Sequence, residues 1–260
     1  MDMKKFYFIA ALAVATLTAN AQEKLMLSTY NGTNLEKYDG QICNVTVNRY
    51  MFTGWNTIAL PFDISANELD ETFGTDCKLE KLVSVENVGN DIQLNFQDCK
   101  AEGLKANTPY IIYYTGEACN KRIVKEAAVS NNQPIVSFTT PRGENVTMAG
   151  VQTKTAGVGF YGILARDNAE AKFAKVDSNL SGFLATRCYV QLASETAGKL
   201  ITKHVAAGET TSITAITKGN EKVDVYNTNG AKVASNVSAA QVNNLHPGIY
   251  IVKGQKVLVK

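Results

Sequence analysis

The sequence predicts an all-β protein: a β-sandwich main domain over residues 22–204 with one short helix, then a small β domain over 213–260. Three observations carry this. The dominant hydrophobic period is two, as expected when one face of a strand is buried and the other is wet. Turn-forming residues interrupt the pattern about every ten residues, as in sandwiches and barrels. Helical spacing is confined to one short segment. At 260 residues, 45% hydrophobic and 19% charged, the chain has the make-up of one large or two smaller packed domains.

Residues 1–21 predict a secretory signal. Lys4 and Lys5 precede an apolar run over 6–17, and Ala19 and Ala21 are the small residues a signal peptidase needs, so the mature chain would begin at Gln22. The run is short of the ~20 residues that span a bilayer. No later stretch is long enough, so no transmembrane segment is expected after cleavage. The first cysteine is Cys43, which places none at the cleavage point for a lipid anchor. Removing Asp2, Lys4 and Lys5 takes the formal charge from +2 to +1, and the remaining charges are interspersed. Nucleic acid is therefore not an expected partner, because phosphate neutralisation needs clustered Lys and Arg.

The strands follow in order. Over 41–52, Cys43, Val45, Val47 and Met51 alternate with Asn44, Thr46 and Asn48, the signature of a half-buried strand. Further strands are predicted over 55–60, 82–88, 92–97, 110–114, 135–138, 158–164, 171–176 and 187–192. Gly89-Asn90-Asp91 supplies a turn that joins 82–88 to 92–97 as a hairpin. Pro61 and Pro109 suit strand edges, and Trp55, Phe62 and Tyr110 supply large apolar area for a core. Adjacent strand residues face opposite ways, so one of Tyr113 and Tyr114 should reach the surface. The helix begins at Ser65-Ala66-Asn67-Glu68, which has capping-box spacing; Leu69 and Phe73 share a face, and Gly74 is placed to end it.

Five cysteines (Cys43, Cys77, Cys99, Cys119, Cys188) lie far apart with no C-x-x-C pair, which disfavours zinc and thioredoxin-like chemistry. In an exported protein, four paired and one free is the expectation, with unpaired buried thiols as the alternative. Catalytic signals are sparse. His204 and His246 are the two histidines, and phosphate loops, EF-hand loops and G-x-S-x-G elbows are missing from the sequence. Cys188 with His204 would be the members of a thiol site. Asp70 with Glu71, or Asp167 with Glu170, would be the members of a carboxylate site. No catalytic residue, cofactor site or metal site is assigned.

Residues 205–212 are small and polar and predict a linker. Beyond them Val223 and Val225 alternate with Asp224, Asn229-Gly230 makes a hairpin turn, Leu245-His246-Pro247-Gly248 turns the chain into 249–252, and Gly254-Gln255 reverses it into 256–259. This predicts a small immunoglobulin-like β domain.

Two resemblances add to these patterns. Gly54-Trp55-Asn56-Thr57-Ile58-Ala59-Leu60-Pro61-Phe62-Asp63 resembles the W-x-T-x-x-L-P-F-D element of uncharacterised surface and secreted proteins of Bacteroidota, and Ala106-Asn107-Thr108-Pro109-Tyr110 resembles their A-N-T-P-Y segment. That likeness implies an extracellular β module and no reaction. Residues 224–233, then Pro247-Gly248-Ile249-Tyr250 and finally 254–260, resemble the C-terminal sorting domain of type IX secretion cargo. This implies recognition by outer-membrane export machinery through Pro247, Gly248, Tyr250, Gly254, Lys256 and Lys260, and a secreted or cell-surface location. The expected function is an exported non-catalytic cell-surface or secreted β module for adhesion, glycan or protein binding. The alternative is a secreted hydrolase with a dispersed carboxylate or thiol site.

Overall fold

A computed structural model describes residues 23–163, 171–177, 182–193, 198–207, 222–238, 241–242 and 244–259, without the side chains of Gln255, Lys256 and Leu258. The predicted signal over 1–21, the greater part of the predicted linker, and Lys260 lie outside the described residues.

The fold is all-β with a single α-helix among the described residues. In chain order the strands are β1 (Lys24–Leu27), β2 (Ile42–Met51), β3 (Gly54–Ile58), β4 (Lys78–Val88), β5 (Asp91–Asp98), β6 (Tyr110–Tyr114), β7 (Cys119–Ala128), β8 (Ile135–Thr139) and β9 (Asn145–Gly150). They continue with β10 (Tyr161–Ile163), β11 (Phe173–Lys175), β12 (Cys188–Leu192), β13 (Leu200–Val205), β14 (Val223–Asn227), β15 (Lys232–Val237), β16 (Gly248–Val252) and β17 (Gln255–Val259). The helix, α1, is Ala66–Phe73.

Among the described residues the main region contains three sheets. A central one has the order β13-β5-β4-β6-β3, a second β11-β10-β12-β9-β8, and a third β1-β2-β7. The central sheet is apolar on both faces, because alternate residues of its strands enter different cores. From β6, Tyr110, Ile112 and Tyr114 join Val45, Val47 and Met51 of β2, Phe62, and Leu69 and Phe73 of α1. Ile111 points the other way and joins Trp55, Phe96, Val146 and Met148, Phe173, and Cys188 and Val190. A strand covered on both sides reads as a continuous apolar run, which is why Tyr-Ile-Ile-Tyr-Tyr shows no alternation. Tyr114 is buried and Tyr113 partly so.

Local chemistry explains the best-defined elements. Val88 pairs with Asp91 across the two-residue turn Gly89-Asn90, with Gly89 at φ +58°. Ser65 caps α1 reciprocally: its Oγ accepts the Glu68 N–H at 3.3 Å while Glu68 accepts the Ser65 N–H at 2.8 Å. Leu69 and Phe73 face the core, and Lys125 of β7 reaches Glu68 at 2.7 Å. Two pairings are parallel, β1 with β2 and β13 with β5. Val205, the first residue of the predicted linker, is the last residue of β13.

The disulfide expectation is overturned, because all five cysteines are free thiols. Cys43, Cys77, Cys99 and Cys188 are buried as small apolar side chains in two separate cores, and Cys119 is partly buried. A core with this many buried aliphatic and aromatic residues does not depend on cross-links.

Residues 223–259 build a four-stranded antiparallel sheet, β15-β14-β16-β17, around Val223, Val225, Val242, Val252, Val257 and Val259. The β16–β17 turn is Lys253-Gly254, one residue earlier than predicted. Both residues have positive φ (+49° and +78°), the twist that two-residue hairpins favour.

Candidate functional site

The site starts from an irregularity in β2. The inward positions of that strand are Cys43, Val45, Val47, Arg49 and Met51, so an arginine occupies a core position and is 1% exposed. Its guanidinium meets acceptors but, among the described residues, no carboxylate. Nη1 donates to the Thr186 carbonyl and, at 2.7 Å, to Thr186 Oγ1; Nη2 donates to the Thr57 carbonyl; Nε lies 3.3 Å from Met51 Sδ. Burial, and then the neighbouring positive charge of Arg187, pull its pKa down to about 9, which still leaves it charged at neutral pH.

Thr186 is the reason for that geometry. It sits at φ +68°, a left-handed conformation that a β-branched residue rarely adopts. Its backbone is fixed further by N–H donation to the Val151 carbonyl at 2.8 Å and by acceptance from the Ala59 N–H at 3.0 Å. The strained residue therefore sets where the next side chain goes, and the next residue is Arg187.

Arg187 lies over the Phe52 ring, 5.7 Å from its centroid, and Nη2 donates to the Tyr50 carbonyl at 3.3 Å. Burial lowers its pKa, a shift that the neighbouring Cys188 opposes. Across the opening, Lys154 Nζ stands 4.5 Å over the Tyr30 ring. Between them is a cleft of about 400 Å³, bounded by Tyr30, Phe52, Trp55, Lys154, Phe183 and Arg187. No Asp or Glu lines it among the described residues, and neither cation has a carboxylate partner there. The back wall is polar but satisfied. Asn56 bonds the backbone of Phe52 and Gly54, and Thr57 Oγ1 accepts the Cys188 N–H at 2.9 Å and donates to its carbonyl at 3.2 Å. Gly182 lines the rim, where a side chain has no room because a Cβ would collide with the Thr155 carbonyl.

Behind the cleft, Trp55 stacks on His204 with ring centroids 4.6 Å apart. His204 Nδ1 is 2.6 Å from Glu80 Oε2, and Glu80 is only 4% exposed. A carboxylate there orients the imidazole through Nδ1. Cys188 takes no part in this pair. Its thiol contacts the Tyr110 carbonyl at 3.9 Å, and burial pushes its pKa to about 12, so it is not a thiolate at neutral pH. Asp70 pairs with Lys100 at 2.7 Å, while Asp167 and Glu170 lie outside the described residues. No group of three or more His, Cys, Asp or Glu is placed to hold a metal ion among the described residues, and no described helix is long and apolar enough to cross a membrane.

The predicted sorting contacts fall at two ends of one hairpin. Pro247 is exposed, Gly248 opens β16, and Tyr250 Oη donates to the His246 carbonyl at 2.9 Å. Gly254 lies in the turn at the other end, and Lys256 pairs with Ile251 near it. The sequence did not flag Arg49, Thr186, Arg187 or Lys154 as site residues. A signal existed only for Arg49, which falls on the buried register of a strand whose other inward members are apolar.

The fold thus defines an all-β protein whose main region carries a cleft with cationic and aromatic walls. No family model, curated protein or solved structure matches the chain.

Proposed function

We propose that this chain is an exported, non-catalytic β module that binds a glycan or protein ligand at the cell surface or after secretion. Residues 213–260 would act as a type IX sorting domain recognised by outer-membrane export machinery. The observation that carries the binding function is the cleft of about 400 Å³ whose two cations have no carboxylate partner among the described residues, a volume within the range of small-ligand sites. The export part rests on the signal pattern over 1–21 and on the sorting-domain resemblance of 224–260. Cell fractionation with mass spectrometry of the protein termini tests it. Extracellular or surface protein that starts at Gln22 and lacks the tail is the expected result. Periplasmic protein that retains the tail, in a host with a working type IX exporter, would refute it.

One observation favours the alternative of a secreted hydrolase, namely the 2.6 Å Glu80–His204 pair against Trp55. Hydrolysis of any polysaccharide or ester substrate that His204→Ala abolishes in folded protein would establish that alternative.

A further inference from the structure

We propose that the Arg187–Lys154 cleft binds an acidic sugar, its carboxylate or sulfate held by the two cations and its ring packed on the aromatic walls. This rests on the glycan-binding function proposed above.

Charge comes first. Arg187, Lys154 and the fully buried Arg49 are three cations with no carboxylate partner among the described residues. Protein arginines of this kind ordinarily find an acid, since an uncompensated charge in a low-dielectric setting is costly. Here the compensation consists of carbonyls and ring faces, which hold the cations without neutralising them. Cations of one sign lining a cleft with no carboxylate among its described residues concentrate such a field. Among the described residues one Arg187 side-chain bond is spent, on the Tyr50 carbonyl, which leaves donors for an anion that a guanidinium takes in a forked geometry.

Pre-organisation comes second. The residue that aims Arg187 is a threonine at φ +68°, held by Arg49 and by the backbone of Val151 and Ala59. Strain of this kind persists where surrounding bonds over-determine it, and it gathers at ligand clamps. Arg49 and Thr186 are positioning residues; Arg187 and Lys154 are the contacts.

Shape comes third. Tyr30 is 61% exposed and Phe52 partly exposed, one beneath each cation. Those two rings hold the cations, and the partly exposed ring left in the cleft wall for the electropositive C–H bonds of a pyranose is Phe183. An acidic sugar combines both partners in one ring.

The chain supplies its own reporter, because Trp55 is its single tryptophan and lines the cleft. The purified full chain is titrated with a galacturonate trisaccharide, a sulfated galactose disaccharide and a neutral galactose trisaccharide, followed by Trp55 fluorescence and calorimetry. The expected result is saturable binding of at least one acidic sugar, at least tenfold tighter than the neutral one and weakened by salt. The preferred acidic probe identifies the anion. Arg187→Gln should lose about tenfold in affinity and Lys154→Gln several-fold, each at an unchanged Tm that certifies folding. Equal affinity for charged and neutral sugars, with both variants indifferent, would overturn the acidic assignment and leave glycan binding standing. A folded protein that responds to none of the three sugars would overturn both.

Discussion

Arg49 occupies the position where the alternation of β2 calls for an aliphatic side chain, and what it holds is a neighbour's backbone. Replacing it with leucine keeps the volume but leaves the Thr57 carbonyl and Thr186 Oγ1 without their donor. Each abandoned buried acceptor costs about 1–3 kcal/mol, so Arg49→Leu should lower the urea midpoint clearly. Arg49→Lys should recover part of the loss, because one ammonium cannot reproduce the guanidinium fork. An unchanged midpoint in Arg49→Leu would show that these bonds contribute nothing net. The cysteines give a second residue-scale prediction. Cys99 and Cys188 have pKa values pushed to about 12 by burial, and Cys119 is the partly exposed thiol of the five. Iodoacetamide should therefore label Cys119 first in the native protein and all five after denaturation, read by peptide mass spectrometry.

At the level of elements, α1 is the most legible piece of the fold. Ser65, Glu68, Leu69, Phe73 and Gly74 each do what their spacing predicts. Ser65→Ala should cost about 1 kcal/mol, seen as a shift in the thermal midpoint. The helix also carries a pH dependence. Glu68 is held down to about 2 by its hydrogen bond from Lys125 and by the Ser65 N–H, against an ordinary value of 4.5. A depressed carboxyl contributes its stability above the unfolded value and loses it as pH falls, so the loss should run from about 4.5 down to about 2. Glu68 is about a third exposed, so the effect is modest, and Glu68→Gln should flatten that acid limb of a stability–pH curve. Other elements were hidden for physical reasons. β7 buries little beyond Ile123 and Ala127 and carries lysines, arginine and glutamate on its other positions, so its apolar period is faint. β13 reads as the approach to a linker because Lys203 and His204 are polar, yet parallel pairing with β5 makes it an edge of the central sheet. The cleft was less legible than the fold. Its cations come from segments about thirty residues apart in sequence, and they line one cleft only once the chain has folded, with Arg187 following a left-handed threonine that no sequence pattern marks.

For the whole molecule, the central sheet is the organising layer, with one face building a core with β2 and α1 and the other with β9, β11 and β12. The sheet of β14 to β17 has a valine core of its own. A chain ending at residue 207 should therefore unfold cooperatively with a midpoint close to that of the longer protein. Loss of cooperativity on truncation would show that the main region depends on the tail. The free thiols have a consequence of another kind. A native state without covalent cross-links is indifferent to the redox poise around it, so its urea midpoint should be the same with and without dithiothreitol. Unfolding changes this, because five sulfhydryls then meet water and oxygen together. Heating in air should trap scrambled, cross-linked chains and make inactivation one-way, while the same heating under reductant should remain reversible. Cys119 apart, the protein's vulnerability to oxidation thus belongs to its denatured ensemble, and its shelf life is set by how often that ensemble is visited.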